Sequence, residues 1–492
     1  MNFISPSPGM AGRPEVVREM RALTAAYLAS AHRKRVERLE RAFRFAADAG
    51  RDRLRINGEP HILHPIAVAR IMAEELSLGS TAICAALLHD VLENPDFTPA
   101  QLREYFGESL ASIVEGLDRI SGGIMGAERE VDAGKFRSLL MSMETDVRVV
   151  LVKMGDRMHN MRNITDLPPH KAARIARETL YVYAPLAHRI GLNAFKEEFE
   201  DLAFKYLYPD EYADIVSRVE SSREERDRLV EEFLVPVRER LDAAGMNYTV
   251  KTRVKSAWSI FNKMRAKQIP FSEIYDVYAC RIIFTPPEGM RDDEGCFAIR
   301  DILRSLYVTN PERDRDWVTE PKSNGYTALH LTALSHTGRW VEVQIRSRVQ
   351  DEIAELGYAA HWKYKEGGAP PGAEALERGM AAIKEILDNP TPAGMDSLDH
   401  LRLSLLSTEI YVFDRAGDVM RLPCGSTVSD LAAALGPEMA SKCFGAKVNR
   451  RLAHPSDPLH SGDRVELLTL SGVSAHTLLG ATSLKESKIA HS

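Results

Sequence analysis

With 492 residues, 27 % of them charged and 44 % hydrophobic, the chain has the make-up of a soluble globular protein with room for about three domains of ~150 residues. Its 64 Lys and Arg against 70 Asp and Glu leave a net charge of −6, which argues against coating nucleic acid by bulk electrostatics. Five scattered cysteines with no C-x-x-C spacing, no basic-then-apolar leader in residues 1–6 and no apolar run near ~18 residues speak against a zinc cage and against a disulfide-stapled, secreted or membrane-spanning protein; the expected setting is the cytoplasm.

Residues 1–35 form an N-terminal segment, turn-rich at Ser5–Gly9 and then helical. Over 36–202 apolar residues such as Ile66, Ala69, Met72 and Leu76 recur at helical spacing, which predicts an all-α domain. The span 203–245 stays helical but is dense in charge, as in Glu224–Arg228, and reads as solvated connecting helices. Near Met246 the period changes. Tyr248, Val250, Thr252 and Val254 alternate with polar residues, Tyr275–Phe284 and Trp340–Ser347 read as further strands, and helices are expected at 257–267, 296–308 and 349–364. That makes 246–367 a mixed α/β domain. A Gly- and Pro-rich linker follows over 368–406, then a compact unit at 407–470 with two short strands around Ala416-Gly417 and a helix at 427–436, and finally a tail at 471–492.

In the helical domain, His89-Asp90 ends the apolar run Ile83–Leu88, and His64 and Asp156 likewise follow apolar stretches. Ionisable residues so placed are costly to bury unless something ligates or pairs them. Two His and two Asp make a mixed nitrogen and oxygen set suited to manganese, iron or zinc. Glu93 lies four residues after His89, expected on the same helix face and able to position a water; Asn160 bears the same relation to Asp156. His61, His159 and His170 read as ordinary surface or capping residues.

In the α/β domain, six basic residues and no acidic one lie between Val250 and Lys267. Lys251, Arg253 and Lys255, two apart on an extended strand, would share a face, with Lys263 and Arg265 on the next helix; such a focus of charge suits a polyphosphate. Along Trp340–Arg346, Val341, Val343 and Ile345 face a core while Glu342, Gln344 and Arg346 face away. Should the strand opened by Asp276 lie beside it, Asp276 and Glu342 could hold Mg²⁺ on a triphosphate. Between them, Lys322 and His330 could contact phosphates and Tyr326 offers a face for a base. No Gly-x-x-x-x-Gly-Lys-Ser/Thr occurs, so this is no P-loop site.

These segments closely resemble the RelA/SpoT homologue family of alarmone enzymes. The resemblance is carried by Ile274-Tyr275-Asp276, by Pro321-Lys322-x-Asn324-x-Tyr326-x-x-Leu329-His330, by Val341–Arg346 and by Ala359-Ala360-His361-Trp362. Arg55 before Gly58-Glu59-Pro60, His64-Pro65, His89-Asp90 and Asp156–Arg162 resemble the family's HD domain, and Cys443–Asn449 with Gly462–Glu466 its TGS domain. The resemblance implies an all-α HD domain, a mixed α/β nucleotidyltransferase-like synthetase domain and a small ubiquitin-like (β-grasp) TGS domain. It implies a bifunctional enzyme that moves pyrophosphate from ATP to the 3′-hydroxyl of GDP or GTP and hydrolyses the 3′-pyrophosphate of (p)ppGpp. Carried over, Asp276 and Glu342 hold Mg²⁺, Glu342 also serving as base; Arg253, Lys255 and Lys263 bind ATP phosphates; Tyr326 stacks on guanine, with Lys322, Asn324 and His330 around the acceptor. His64, His89, Asp90 and Asp156 bind Mn²⁺ at the hydrolase site, Arg55 and Asn160 hold its nucleotide, and Glu93 and Asn94 occupy the positions of water activation.

Three departures stand out. The family's usual Glu-Asp pair is Glu93-Asn94, and an amide cannot act as a base, so weaker hydrolysis is expected. Ser441 replaces the usual His before Cys443, which puts contact with tRNA or the ribosome through the TGS domain in doubt. The helical, zinc-finger and ACT regions of long members do not follow the TGS unit. The alternatives are a chain with only the synthetase active and the HD domain regulatory, and a non-catalytic guanine-nucleotide sensor. Opposed activities in one chain must be kept from running together, and the helices of 196–245 are expected to couple them.

Overall fold

The computed structural model describes residues 12–357, apart from 31, 33, 52, 125–134, 136–137, 140, 143–145, 272–273, 275–278, 320 and 323–325, together with residue 359 and, within 409–469, all but 414–418, 424–425, 449–450, 458, 460–462 and 464. The chain divides into two compact units between residues 402 and 403.

The first part of the larger unit is a helical array from Pro14–Ala29 to Asn193–Leu207. Its ends are set locally. The Thr98 hydroxyl accepts from the backbone N–H of Gln101 while the Gln101 side chain takes the Thr98 N–H at 2.7 Å, a reciprocal cap that starts helix Pro99–Phe106. Asp146 accepts from the N–H of Arg148 at 3.0 Å and so opens the helix Val147–Arg162. That helix is apolar around most of its girth and forms the hub of the array. At Gly155 the hub lies close on the π-helical turn Ile71–Glu75, where a Cβ would have to displace the flexible end of Met72. This close approach puts Asp156 beside the first turn of helix Leu63–Arg70, which carries His64.

The α/β part holds five strands: β1 (Asn247–Arg253), β2 (Ala279–Thr285), β3 (Arg315–Asp316), β4 (Leu329–Leu334) and β5 (Trp340–Ser347), in the order β1-β2-β5-β4-β3. Only β2 and β5 run parallel; the other pairs are antiparallel. Alternation sorts the two faces. Cys280, Ile282, Phe284, Leu329, Leu331, Val341, Val343 and Ile345 enter one core, which leaves Arg281, His330, Glu342, Gln344 and Arg346 on the opposite face.

Three differences from the expected elements have local causes. Helix Arg223–Ala243 is not merely a solvated connector: Leu229, Phe233, Val237 and Leu241, four apart, bury a stripe in the sheet's core. The helix expected at 296–308 spans Asp292–Leu306, because the Glu294 carboxylate takes the Arg291 N–H at 3.0 Å and three acids fill its first turn. The last helix is described as Arg348–Leu356, opened by a Ser347–Gln350 capping box; Ala279 is the first described residue of the strand expected from Tyr275.

The smaller unit has a hairpin of β6 (Glu409–Phe413) and β7 (Val419–Pro423), a helix Val428–Ala434, a short helix Pro437–Lys442 and a three-stranded sheet β10-β8-β9 from Val465–Thr469, Cys443–Val448 and Arg451–Ala453. Val412, Leu422, Leu431, Ala446 and Leu467 share its core. No helix among the described residues is long and apolar enough to cross a membrane.

Candidate active sites

Nitrogen or oxygen atoms of His64, His89 and Asp156 all lie within 4.8 Å of one another. The His89 ring sets Nδ1 2.8 Å from the Ala86 carbonyl oxygen, an acceptor, so Nδ1 carries the proton and Nε2 keeps its lone pair. His64 Nε2 stands 3.3 Å from Asp156 Oδ1. Asp156 is itself held by Lys153 at 2.8 Å and by the Asn160 amide at 2.7 Å. Burial alone would raise its carboxyl, but Lys153, His64 and His89 hold it well below the usual carboxylate range. A fixed anion and two imidazoles turned toward one point are the donor set of a divalent metal ion.

Asp90, expected in the same set, lies instead against His61, Oδ2 to Nε2 3.4 Å. His159, read from sequence as an ordinary residue, has Nδ1 2.9 Å from Nδ1 of His64, and burial followed by the charges of His64 and Arg55 lowers it to about 3. His61 and His159 thus form the outer wall of the cluster. The i,i+3 spacing of Asp156 and His159 and of His61 and His64 was the signal that could have found them.

Glu93 does not share a helix face with His89. Helix Ser80–Leu87 ends before the histidine, and Val91–Glu93 is a separate 3₁₀ turn that turns Glu93 out to Arg53 at 3.1 Å. Asn94 donates to the Ala49 carbonyl at 2.9 Å and accepts from the Asp96 N–H at 3.1 Å. Arg55 sits in a tight hairpin, its N–H on the Glu59 carbonyl at 2.8 Å and Leu54 bridged to Pro60.

On the open face of the five-stranded sheet, Glu342 receives the Gln344 amide at 3.0 Å and faces His330 Nδ1 at 3.3 Å. Burial would raise its carboxyl, yet these two bonds and the charges of His330 and Lys255 hold it at about 2. His330 Nε2 meets the Tyr326 hydroxyl at 2.7 Å. The Lys322 ammonium lies over the Trp317 and Tyr326 rings at 4.8 and 5.0 Å, and burial lowers its pKa. Behind them Arg346, 1 % exposed, is bound to Asp351 at 2.6 Å and Glu355 at 2.8 Å, carboxylates it shares with Arg281. Sequence reasoning passed over Asp351 and Glu355, although their i,i+4 spacing after a capping box marks one helix face.

The basic residues are less concentrated than the alternation implied. Lys251 is exposed and 3.7 Å from Asp351, β1 ends at Arg253, and Lys255 lies beyond it on the way to helix Ala257–Lys267, where Lys263 is half-buried. Asp276, Asn324 and the Arg253 side chain lie outside the described residues. Ala279, three residues after Asp276, is paired with Glu342 in the parallel β2–β5 ladder.

The helical part meets the α/β part through named contacts. The Asn193 amide donates to the Ala354 carbonyl at 2.6 Å, Asp201 accepts from the N–H of Trp258 at 3.1 Å, and Phe204 packs on Phe261 with centroids 4.8 Å apart.

Comparison with known proteins agrees with this division. Family models match as an HD domain over residues 42–193, a region found in RelA / SpoT proteins over 252–369 and a TGS domain over 410–469. Over 439 residues the chain is 38 % identical to the bifunctional (p)ppGpp synthase/hydrolase SpoT of Escherichia coli K12, covering 89 % of this chain and 61 % of that one. It is 38 % identical to a probable GTP pyrophosphokinase of Mycobacterium leprae, covering 88 % of this chain and 54 % of that one. A crystal structure of the small alarmone synthetase 1 of Bacillus subtilis bound to its product pppGpp aligns with 32 % of this chain and 92 % of its own at 22 % identity, with a TM-score of 0.21. The chain thus spans about six tenths of the length of the first relative.

Proposed function

Because the chain belongs to the RelA/SpoT homologues, we propose that it is a bifunctional cytoplasmic enzyme that makes (p)ppGpp from ATP and GDP or GTP at the Glu342 face and hydrolyses it at the His64–His89–Asp156 cluster. The observation that carries this reading is that three side chains placed to hold a metal ion and a separate carboxylate–histidine–tyrosine face stand in one chain.

In the synthetase reaction the 3′-oxygen of the acceptor forms a bond to the β-phosphorus of ATP, the bond to the α-phosphate oxygen breaks, and AMP leaves. Glu342, ionised before the step, accepts the hydrogen bond of the 3′-hydroxyl, aims its oxygen and takes its proton as the bond to phosphorus forms, the proton then passing to the departing AMP phosphate or to solvent. A carboxylate held at about 2 is a weak base, so orientation contributes more than proton storage. Lys255 and Lys263, with Arg253, bind the ATP phosphates. Tyr326 gives the guanine a face, with Lys322, Asn324 and His330 around the acceptor. Mg²⁺, held by Asp276 and Glu342, would offset the charge of the triphosphate.

In the hydrolase reaction His64, His89 and Asp156 would hold Mn²⁺, with Asp90, oriented through one oxygen by His61, offering its other oxygen to the same ion. When bound, the ion would lower the pKa of a water that attacks the 3′-pyrophosphate. Lys153 and Asn160 keep Asp156 in place, and Arg55 brings positive charge to the nucleotide. The antagonism of the two sites is proposed to run through helix Asn193–Leu207, supported by its contacts at Ala354 and Trp258.

A second reading, in which the HD domain is regulatory and only the synthetase turns over, is favoured by Asn94, whose amide is committed to Ala49. Incubating ppGpp with the purified chain and Mn²⁺, and ATP with GDP and Mg²⁺, separates them. The bifunctional reading expects GDP plus pyrophosphate from the first and AMP plus ppGpp from the second. Glu342→Gln should remove only the second, by ~10²–10⁴-fold, and His89→Ala only the first. Stable ppGpp beside active synthesis would leave the second reading.

A further inference from the structure

Stacking on a base uses the face of Tyr326 and leaves its hydroxyl without a task. That hydroxyl lies 2.7 Å from Nε2 of His330, whose Nδ1 lies 3.3 Å from Glu342. An ionised carboxylate only accepts, so Nδ1 of His330 must carry the proton that faces it. The backbone does not settle this orientation. In the β4–β5 ladder His330 is paired with Gln344, and Glu342 with Thr332, so the ring reaches Glu342 diagonally across the sheet face. Half a turn about its last torsion would take Nδ1 away from the carboxylate. The Tyr326 hydroxyl holds the ring against that turn from its far edge, with the two rings edge-on at 78°. Tyr326 is fixed in its own right: its carbonyl accepts the Lys322 N–H at 3.1 Å, and the Arg346 guanidinium, anchored by Asp351 and Glu355, lies 5.8 Å from its ring centre.

We infer that the Tyr326 hydroxyl is a positioning group for pyrophosphate transfer, acting through the orientation of His330 on the Glu342 carboxylate. The inference rests on the synthetase reading above and adds a second role to a residue otherwise needed only as a stacking face. It makes the seat of the acceptor base and the aim of the Glu342 carboxylate on the 3′-hydroxyl parts of one hydrogen-bonded chain, with Gln344 as the independent second support of Glu342.

The test is Tyr326→Phe in the full chain, which keeps the aromatic face and removes only the hydroxyl. With ATP saturating, KM for GDP should stay within about twofold while kcat falls about tenfold. In a His330→Asn background the same substitution should cost nothing further, since its route to Glu342 is already gone. An unchanged kcat, a rise confined to KM, or an equal loss in both backgrounds overturns the inference. A readout independent of turnover is the tautomer of His330 by nitrogen NMR of histidine-labelled chain, with His330→Asn identifying the signal. The unaltered chain should show the Nδ1–H form and Tyr326→Phe a mixture; an unchanged tautomer overturns the inference, whereas a tautomer shift in a chain that makes no ppGpp keeps Tyr326 as the group that orients His330 and overturns the synthetase reading and with it the link to pyrophosphate transfer.

Discussion

Asn94 is tied by its side-chain amide to the backbone carbonyl of Ala49, 2.9 Å away. The donor is the feature that an aspartate at this position would lack. Asn94→Asp would set a carboxylate against a carbonyl oxygen in a half-buried site and leave two acceptors facing each other. The expected result is lower stability of the helical part by about 1–2 kcal/mol, read as an earlier onset of thermal unfolding, and no gain in ppGpp hydrolysis. Faster hydrolysis with unchanged stability would show that Asn94 limits water activation and does not serve as a tether.

The pairing of His61 with Asp90 makes His61 a determinant of metal affinity that sequence reading left aside. His61→Ala should weaken Mn²⁺ binding by roughly 10–100-fold through loss of the group that orients Asp90. His89→Ala should abolish binding, and chelation of the unaltered chain should remove hydrolysis but leave synthesis to be restored by Mg²⁺. Calorimetric titration of each variant checks the order; equal affinities for the His61 variant and the unaltered chain would place Asp90 outside the site.

Two buried imidazoles set a pH dependence of folding. Burial first, then neighbouring positive charge, lowers His159 to about 3 and His188 to about 4 from the 6.5 of an ordinary histidine side chain. Both rings therefore fold neutral. Below pH ~6.5 the unfolded chain binds more protons than the folded one, so their contribution is complete above that pH and is lost as pH falls toward 4. The urea midpoint of the metal-free chain should be lower at about pH 5 than at about pH 7.5, and the slope shallower in His188→Asn. A midpoint that rises on acidification would contradict the assignment.

Gly357 closes helix Arg348–Leu356 at φ +46°, where a Cβ would stand 2.3 Å from the Ile190 carbonyl oxygen and 2.4 Å from the Gly191 carbonyl carbon. Backbone cannot yield as a flexible side chain does. Gly357→Ala should push this helix off the 190–193 turn, costing ~1–3 kcal/mol, break the Asn193–Ala354 bond and raise hydrogen exchange in both 193–207 and 348–356. Because Asp351 and Glu355 anchor Arg346 from the same helix, synthesis should also slow. Exchange confined to the mutated turn would argue against a coupled interface.

Much of this molecule is legible in one dimension. The alternation in Trp340–Ser347 assigned the faces of β5, apolar periodicity placed several helices, and His64, His89 and Asp156 stood out as ionisable residues ending apolar runs. Such features depend on periods of 2.0 and 3.6 residues and on the cost of burying charge, which a sequence carries by itself. Tertiary structure alone decided the partners. Whether Asp90 lies against His61, whether Asn94 meets a carbonyl 45 residues away, and whether the Tyr326 hydroxyl reaches His330 depend on torsions and on contacts between distant segments. The chain encodes these only through the packing of the whole fold, as where helix Val147–Arg162 sets Asp156 3.3 Å from His64 of helix Leu63–Arg70.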